Sequence, residues 1–260
     1  MFDVNVDEEQ ITNDSNLRLV DTDDGLMIEW LDGTGFLNRT NSKKSGKKSN
    51  NNNSSKPLKL KIDIQNFVDQ QQTFPAPKQG ALNQALGKKT RHVVDATAGW
   101  AGDALLMCAQ GYQVTLIERD PLMALLLTDA MQRLTETVWF VDNEVTAPVV
   151  INANAIGLMF DSKLGADCIY LDPMFPAKKK KYAAVNKYMQ FLQCFIGKDT
   201  DADDLLSAAL NTSCPRVAVK RPNYAKPLMY ETIQPNTSFS SKLVHYDVYL
   251  SSQIGLMKSI

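Results

Sequence analysis

The chain has 260 residues, 44% of them apolar, which suffices for one large domain or for a domain with an N-terminal appendage. A formal net charge of −1 excludes a global electrostatic attraction to nucleic acid, so any such contact must rest on a local patch. No apolar stretch approaches the roughly 20 residues that cross a bilayer, and the acidic start "MFDVNVDEEQ" lacks the basic and apolar regions of a secretory signal, so a cytoplasmic protein is expected.

Cysteine and histidine usage points the same way. The 4 cysteines, Cys108, Cys168, Cys194 and Cys214, form no C-x-x-C pair, and the 2 histidines, His92 and His245, stand alone, so no metal is expected. Cys168 lies in an apolar run, where a thiol behaves as a small hydrophobe.

Along the chain, "LRLVDTDDGLMIEWLDG" alternates in part and breaks at Asp-Gly, which predicts a hairpin or two short strands. Residues 38–57, "NRTNSKKSGKKSNNNNSSKP", cannot bury enough surface to offset the entropy of ordering; they read as a flexible surface insertion rather than an RNA contact. "LKLKIDI", residues 58–64, alternates as a strand, and a helix is predicted near residues 79–86. Residues 1–78 are thus a small N-terminal region, and residues 79–260 the main domain.

From residue 90 the pattern changes. "HVVDATAG" predicts a strand, "AGDALLMCAQG" a helix closed by Gly111, "YQVTLIERD" a second strand, and "PLMALLLTDAMQRLTE" a helix opened by Pro121. "APVVINANA" and "ADCIYLDPMFP" are the third and fourth strands, followed by helical "VNKYMQFLQCFIG" and "DADDLLSAALNTS". "PRVAVKRP" is the fifth strand and "SKLVHYDVYL" the sixth, paired with "SSQIGLMKSI". Apolar strands alternating with helices predict an α/β fold, a doubly wound and mostly parallel sheet covered on both faces.

Ligands of such sheets bind at the carboxyl ends of the strands. At the first end, Asp95 closes the strand, Gly99 and Gly102 let the backbone approach a ligand, and Asp103 can cap the next helix or receive a ligand amine or hydroxyl. At the second, Glu118 follows Gly99 by 19 positions and can accept from both hydroxyls of a ribose, with Arg119 and Asp120 beside it. At the third, Asn152 or Asn154 can read an adenine edge. NAD and S-adenosylmethionine both suit this pattern in principle. "GWAGDA" lacks the G-x-G-x-x-G that a pyrophosphate needs, and Asp95 and Asp103 suit a cofactor carrying a sulfonium and an amino group, so S-adenosylmethionine is favoured.

The fourth strand ends in Asp172-Pro173-Met174-Phe175-Pro176. A carboxylate and a backbone carbonyl there can accept both N–H groups of an exocyclic base amine and aim its lone pair. Pro173 stiffens the turn, and Phe175 offers a stacking face worth roughly 1–3 kcal/mol. Asp172, Pro173 and Phe175 are therefore the catalytic candidates. Lys178 to Lys181 follow at once, and "VKRPNYAKP" adds Lys220, Arg221, Tyr224 and Lys226; Lys178, Lys179, Lys220 and Arg221 are the candidates for substrate RNA.

Taken together, "VVDATAGWAGDALL", "IERDP", "YLDPMFP", "GKDTDADDLL" and "VAVKRPNYAKPL" resemble the ribosomal RNA small subunit methyltransferase J family, across roughly residues 80–250. The resemblance implies a Rossmann-like class I methyltransferase of the bacterial cytoplasm. It implies S-adenosylmethionine-dependent methylation of N2 of guanosine 1516 in 16S ribosomal RNA, on naked RNA or on the small subunit. Carried over by position, it implies cofactor contacts at Gly102, Asp103, Glu118, Arg119, Asn154, Ala155 and Asp172. The chain departs from the family where "GWAGD" replaces G-x-G-R-D: Ala101 stands for a glycine and Gly102 for an arginine, so that arginine's contacts are lost. "QQQTFPAPKQGALNQALG" likewise replaces an arginine- and glycine-rich stretch, and the insertion at 38–57 is unusual. The same Asp-Pro-x-aromatic chemistry serves amine methylation of DNA adenine or protein glutamine. A non-catalytic, RNA-binding assembly factor on this fold is the remaining alternative.

Overall fold

The structure is a computed structural model and describes residues 16–31, 57–161, 164–174, 187–196, 201–228 and 232–250. Phe175, Lys178, Lys179, nearly all of the 38–57 insertion and the terminal "SSQIGLMKSI" lie outside the described residues.

The chain opens with β1 (Leu17–Val20) and β2 (Met27–Trp30), an antiparallel hairpin that β3 (Leu58–Leu60) joins on the β2 side. The turn uses Gly25 at φ +97°, where a Cβ would collide with the Arg133 guanidinium. The alternation of "LKLKIDI" does not carry the third strand to residue 64. Asp63 instead accepts from the Asn66 amide and caps α1 (Ile64–Asp69), a local side-chain bond that diverts the backbone from the ladder.

After α2 (Gly80–Leu86), the chain alternates: β4 (His92–Asp95), α3 (Gly102–Ala109), β5 (Gln113–Glu118), α4 (Pro121–Thr135), α5 (Val138–Asp142), β6 (Val149–Asn152), α6 (Ala155–Asp161) and β7 (Cys168–Leu171). Then come α7 (Lys187–Phe191), running into a π-helical turn at Leu192–Ile196, α8 (Ala202–Leu210), β8 (Arg216–Pro222), β9 (Thr237–Ser240) and β10 (Val244–Leu250). Helix α4 starts where the sequence places it, with Asp120 accepting from the Met123 amide and Pro121 in the first turn.

The second sheet has seven strands in the order β6-β5-β4-β7-β8-β10-β9. Its first five are mutually parallel, and β10 runs antiparallel to both neighbours. This is the doubly wound, mostly parallel sheet with a small N-terminal β-region that the sequence predicts. Strand β10 pairs with β8 on one edge and with β9 on the other, and its expected pairing with the C-terminal segment falls outside the described residues. Strand β9, "TSFS", is largely exposed and has no apolar run to announce it.

Adjacent residues of β4 face opposite cores. Val93 packs with Leu105, Met107, Leu126 and Leu127. Val94 packs with Leu171, Leu206, Val219 and Tyr249. The first core also takes Ile28, Trp30 and Leu60 from the N-terminal sheet. No helix among the described residues is long and apolar enough to cross a membrane.

One carboxylate anchors the hairpin to α4. Asp129 Oδ2 accepts from the Leu26 amide at 3.1 Å and from Arg133 Nε and Nη2 at 2.9 and 2.7 Å, while Nη2 also donates to the Ile62 carbonyl at 3.2 Å. Asp129→Ala should cost about 1–3 kcal/mol, the range for charged hydrogen bonds left unmade, and should speed hydrogen exchange at Leu26 and along β2. Denaturant unfolding with exchange mass spectrometry checks this; unchanged exchange at Leu26 would remove the anchor.

Candidate active site

A cavity of about 640 Å³ opens over the carboxyl ends of β4, β5, β7 and β8. It lies at the switch point, because β4 is flanked by β5 on one side and β7 on the other and the connections leave in opposite directions. Asp95, Gly99, Gly102, Asp103, Glu118, Arg119, Asn154, Ala155, Asp172, Pro173, Lys220 and Arg221 all border it. These candidates are thus brought to one opening, whereas Asn152 and Lys226 do not border it.

The first turn is built around Thr97. Its amide and hydroxyl donate to Asp95 Oδ1 at 3.0 and 3.3 Å, and its oxygen accepts from the Asp172 amide at 2.6 Å. One threonine therefore links the ends of β4 and β7. Asp95 is 3% exposed. Burial pushes its carboxyl up to about 7; the Thr97 amide opposes this, and the charges of Asp103 and Asp172 add to it.

Gly99 has φ +49° and Ala101 φ +58°. Ala101 keeps the left-handed backbone that a glycine adopts without strain, at a cost of about 1–2 kcal/mol. Its amide donates to the Ala98 carbonyl at 2.8 Å, its carbonyl accepts from Leu105 at 2.8 Å, and its methyl is fully buried. The turn thereby survives the departure from the family motif. A Cβ at Gly102 would meet nothing within 4 Å, so the space that a side chain there would enter is open.

Asp103 does not cap α3. Ala101 holds the N-cap position, and Asp103 Oδ2 accepts from Tyr170 Oη and Lys220 Nζ, both at 2.6 Å. Glu118 is 7% exposed and ties two strand ends together. Its Oε2 accepts from the Gly99 amide at 3.0 Å and its Oε1 from the Asp120 amide at 2.9 Å. Burial raises this carboxyl, against the pull of the two amides. Arg119 pairs with Asp201 at 2.9 Å, ahead of α8. Asn152 turns its amide to the Glu118 carbonyl at 2.9 Å, which leaves Asn154 as the asparagine bordering the cavity; Asn154 Oδ1 accepts from the Ile156 amide at 3.0 Å.

Lys220 and Arg221 differ from the expected surface pair. Lys220 Nζ donates to Asp172 Oδ2 at 3.0 Å as well as to Asp103, inside the cavity. Burial lowers the pKa of Lys220, but Asp172 and Asp103 outweigh it and hold the ammonium well above its ordinary range. Arg221 is 6% exposed, and its Nε and Nη2 donate to the Lys226 carbonyl at 3.1 and 2.7 Å. Strand alternation accounts for this inward placement: β8 is paired on both edges, so a cation on it points into a packed face or into the cavity.

Sequence reading also missed the aromatic wall. Trp100 Nε1 donates to the Tyr188 carbonyl at 3.1 Å, and its ring meets Tyr188 edge-on at 4.9 Å and Phe191 at 5.8 Å. Trp100, Tyr188 and Leu192 border the cavity. Trp100 stood in plain view inside the glycine turn, but only the fold brings α7 against it. Tyr170 and Thr97 gave no signal, one being an apolar strand residue and the other a small turn residue.

The donor set fits S-adenosylmethionine. The cavity has the size of a small-ligand site. It sets the carboxylates Asp95, Asp103 and Asp172 around the turn, where a pyrophosphate would need cations and a sulfonium or ammonium does not.

Comparison with known proteins agrees with this geometry. The SAM-dependent methyltransferase family matches residues 37–251. The ribosomal RNA small subunit methyltransferase J of Hydrogenovibrio crunogenus is 45% identical over 159 residues, 60% of this chain, and the match spans only 56% of that relative's length. The protein of the same name from Colwellia psychrerythraea is 36% identical over 201 residues, 75% of this chain and 71% of that one. The crystal structure of a SAM-dependent methyltransferase from Neisseria gonorrhoeae shares the fold at a TM-score of 0.60 and 24% identity, over 91% of this chain and 83% of that chain. The chain therefore belongs to the SAM-dependent methyltransferase family, among the ribosomal RNA small subunit methyltransferase J proteins.

Proposed function

We propose that this protein transfers a methyl group from S-adenosylmethionine to the exocyclic N2 of a guanosine in small-subunit ribosomal RNA, the position numbered 1516 in 16S RNA, in the cytoplasm. The observation that carries the reading is the junction at Thr97. It sets the Asp172 carboxylate and the acidic glycine turn side by side over one cavity. Family membership supports ribosomal RNA as the substrate class.

Bound S-adenosylmethionine supplies an electrophilic methyl on a sulfonium. Glu118 receives the ribose hydroxyls, Asn154 and Ala155 border the adenine, and Asp95 and Asp103 place negative charge against the cofactor's cations. Gly99, Gly102 and Arg119 shape the wall around it. Asp172 accepts an N–H of the guanine amine, whose lone pair is delocalised into the ring until its hydrogens are held. Pro173, with no N–H and a fixed φ, keeps that carboxylate on a rigid turn. Phe175 stacks the base, and Lys178 and Lys179 meet the phosphates beside it. Residues 1–78 form a small N-terminal region, of which Ile28, Trp30 and Leu60 pack into the core of the catalytic domain.

The function is tested by supplying labelled S-adenosylmethionine with undermodified small subunits, DNA or protein, and mapping the labelled nucleotide. Label on a guanosine N2 of small-subunit RNA supports the reading; label on DNA or protein alone overturns it. In the same assay Asp172→Ala should lose at least about 100-fold in turnover, as for removal of one aimed electrostatic partner, with circular dichroism unchanged. Near-wild-type turnover by a folded variant would reject the role.

Glu118→Ala should weaken S-adenosylmethionine binding by about tenfold or more, the equivalent of about 1.4 kcal/mol; an unchanged Kd by calorimetry would remove Glu118 from the ribose. Asp95 gives a pH signature. Its folded carboxyl is raised to about 7 from 3.8, so the ionised form is disfavoured in the native state, fully above about 7 and not at all below the unfolded value. Asp95→Asn keeps an oxygen for Thr97 and should raise Tm at pH 8 but not at pH 3, while weakening cofactor binding. An equal change in Tm at both pH values would contradict this.

A further inference from the structure

Lys220 is placed by strand register rather than by a flexible loop. Leu171 of β7 pairs with Val219 of β8, so Asp172 and Lys220 are the next residues along adjacent parallel strands. The ammonium lies 3.0 Å from Asp172 Oδ2 and 2.6 Å from Asp103 Oδ2, with the lysine side chain 22% exposed. Tyr170 Oη donates to the same Asp103 oxygen at 2.6 Å, and the Tyr246 ring lies 6.4 Å from that of Tyr170. The ionisable groups facing the Lys220–Asp172 pair are therefore Asp95 at the end of β4, Asp103 on α3, Tyr170 on β7 and Tyr246 on β10. Both tyrosines are held protonated by burial and by the neighbouring carboxylates.

We infer that Lys220 is a positioning residue for methyl transfer, gripped by Asp103 so that it keeps the Asp172 carboxylate charged and aimed at the base amine. The inference rests on the proposed function. Asp95, Asp103 and Asp172 crowd one side of this cavity, and without the Lys220 ammonium a proton would settle on one of them. In the reaction the N2 lone pair forms the N–CH₃ bond while the S–CH₃ bond breaks and leaves its electron pair on sulfur. The nitrogen becomes cationic and must release one proton. A charged Asp172 holds the N–H and receives that proton, then returns it to solvent; its side chain is 38% exposed. A protonated Asp172 can do neither.

The test uses Lys220→Met and Lys220→Arg in the full chain, with kcat and KM on undermodified small subunits across pH and salt. Lys220→Met should lower kcat by about 100-fold with KM for the subunit changed less than about threefold, and should move the acid limb of the profile upward by about one pH unit. Lys220→Arg should return the acid limb to its wild-type position because it restores the charge. A raised KM with unchanged kcat and a shallower salt dependence would make Lys220 an RNA-phosphate ligand and overturn the inference. So would a loss of kcat with no movement of the acid limb. A ¹³C NMR titration of the aspartate carboxyls gives a readout without turnover: in Lys220→Met the Asp172 carboxyl should titrate higher than in wild type and in Lys220→Arg. Should Lys220→Met fail to fold, Lys220→Gln takes its place in both measurements. If wild type labels no small-subunit RNA, the proposed function fails, and the carboxyl titration still decides whether Lys220 keeps Asp172 charged.

Discussion

A parallel sheet buried on both faces can show a polar side chain to solvent only where its strands end. That constraint organises this molecule. Val93 and Val94 of β4 are fully buried in opposite cores, and so are Leu116 and Ile117 of β5, before the chain reaches Asp95 and Glu118. Parallel register brings the ends level: Glu118 pairs with Asn152, and Asp95 with Tyr170. The chemistry gathers on one rim because the interior has no room for it.

Gathering carboxylates on one rim creates an electrostatic problem. Burial raises the Asp95 carboxyl, and the charges of Asp103 and Asp172 push it further. The Lys220 ammonium answers that problem, shared by Asp103 and Asp172. A buried ion pair contributes little to stability once desolvation is counted, and breaking one by removing a partner is costly. Such a pair is better understood as fixing geometry. Thr97 does the same work without charge, since its three hydrogen bonds join the glycine turn to the Asp-Pro turn.

The N-terminal sheet bears on the site through aromatic packing. Trp30 of β2 meets Phe195 at 5.1 Å and Phe191 at 6.2 Å, and Phe191 meets Trp100 of the glycine turn. A hairpin remote in sequence thus supports the wall that closes the cavity. Its attachment to α4 through Asp129 holds that support in place.

Much of this was legible in the residues alone. Alternating apolar runs, Pro121 after a capping Asp120, and Gly111 after α3 mark the elements because those rules act within a few residues of chain. Asp95, Glu118 and Asp172 could be found because each follows an apolar strand. Strand β9 could not, since an exposed edge strand needs no apolar pattern, and Asp63 ended β3 by a local cap that periodicity does not see. By itself, then, the sequence determined the order of β4 to β8, the helices α2, α3, α4, α7 and α8, and which acids terminate strands, because these depend on neighbouring residues. The tertiary structure alone decided that Lys220 faces inward to Asp103 and Asp172, that Thr97 joins two strand ends, and that Trp100 meets Tyr188. Each of those contacts joins segments whose distance apart is set by strand order and register, and neither is written in any single stretch of chain.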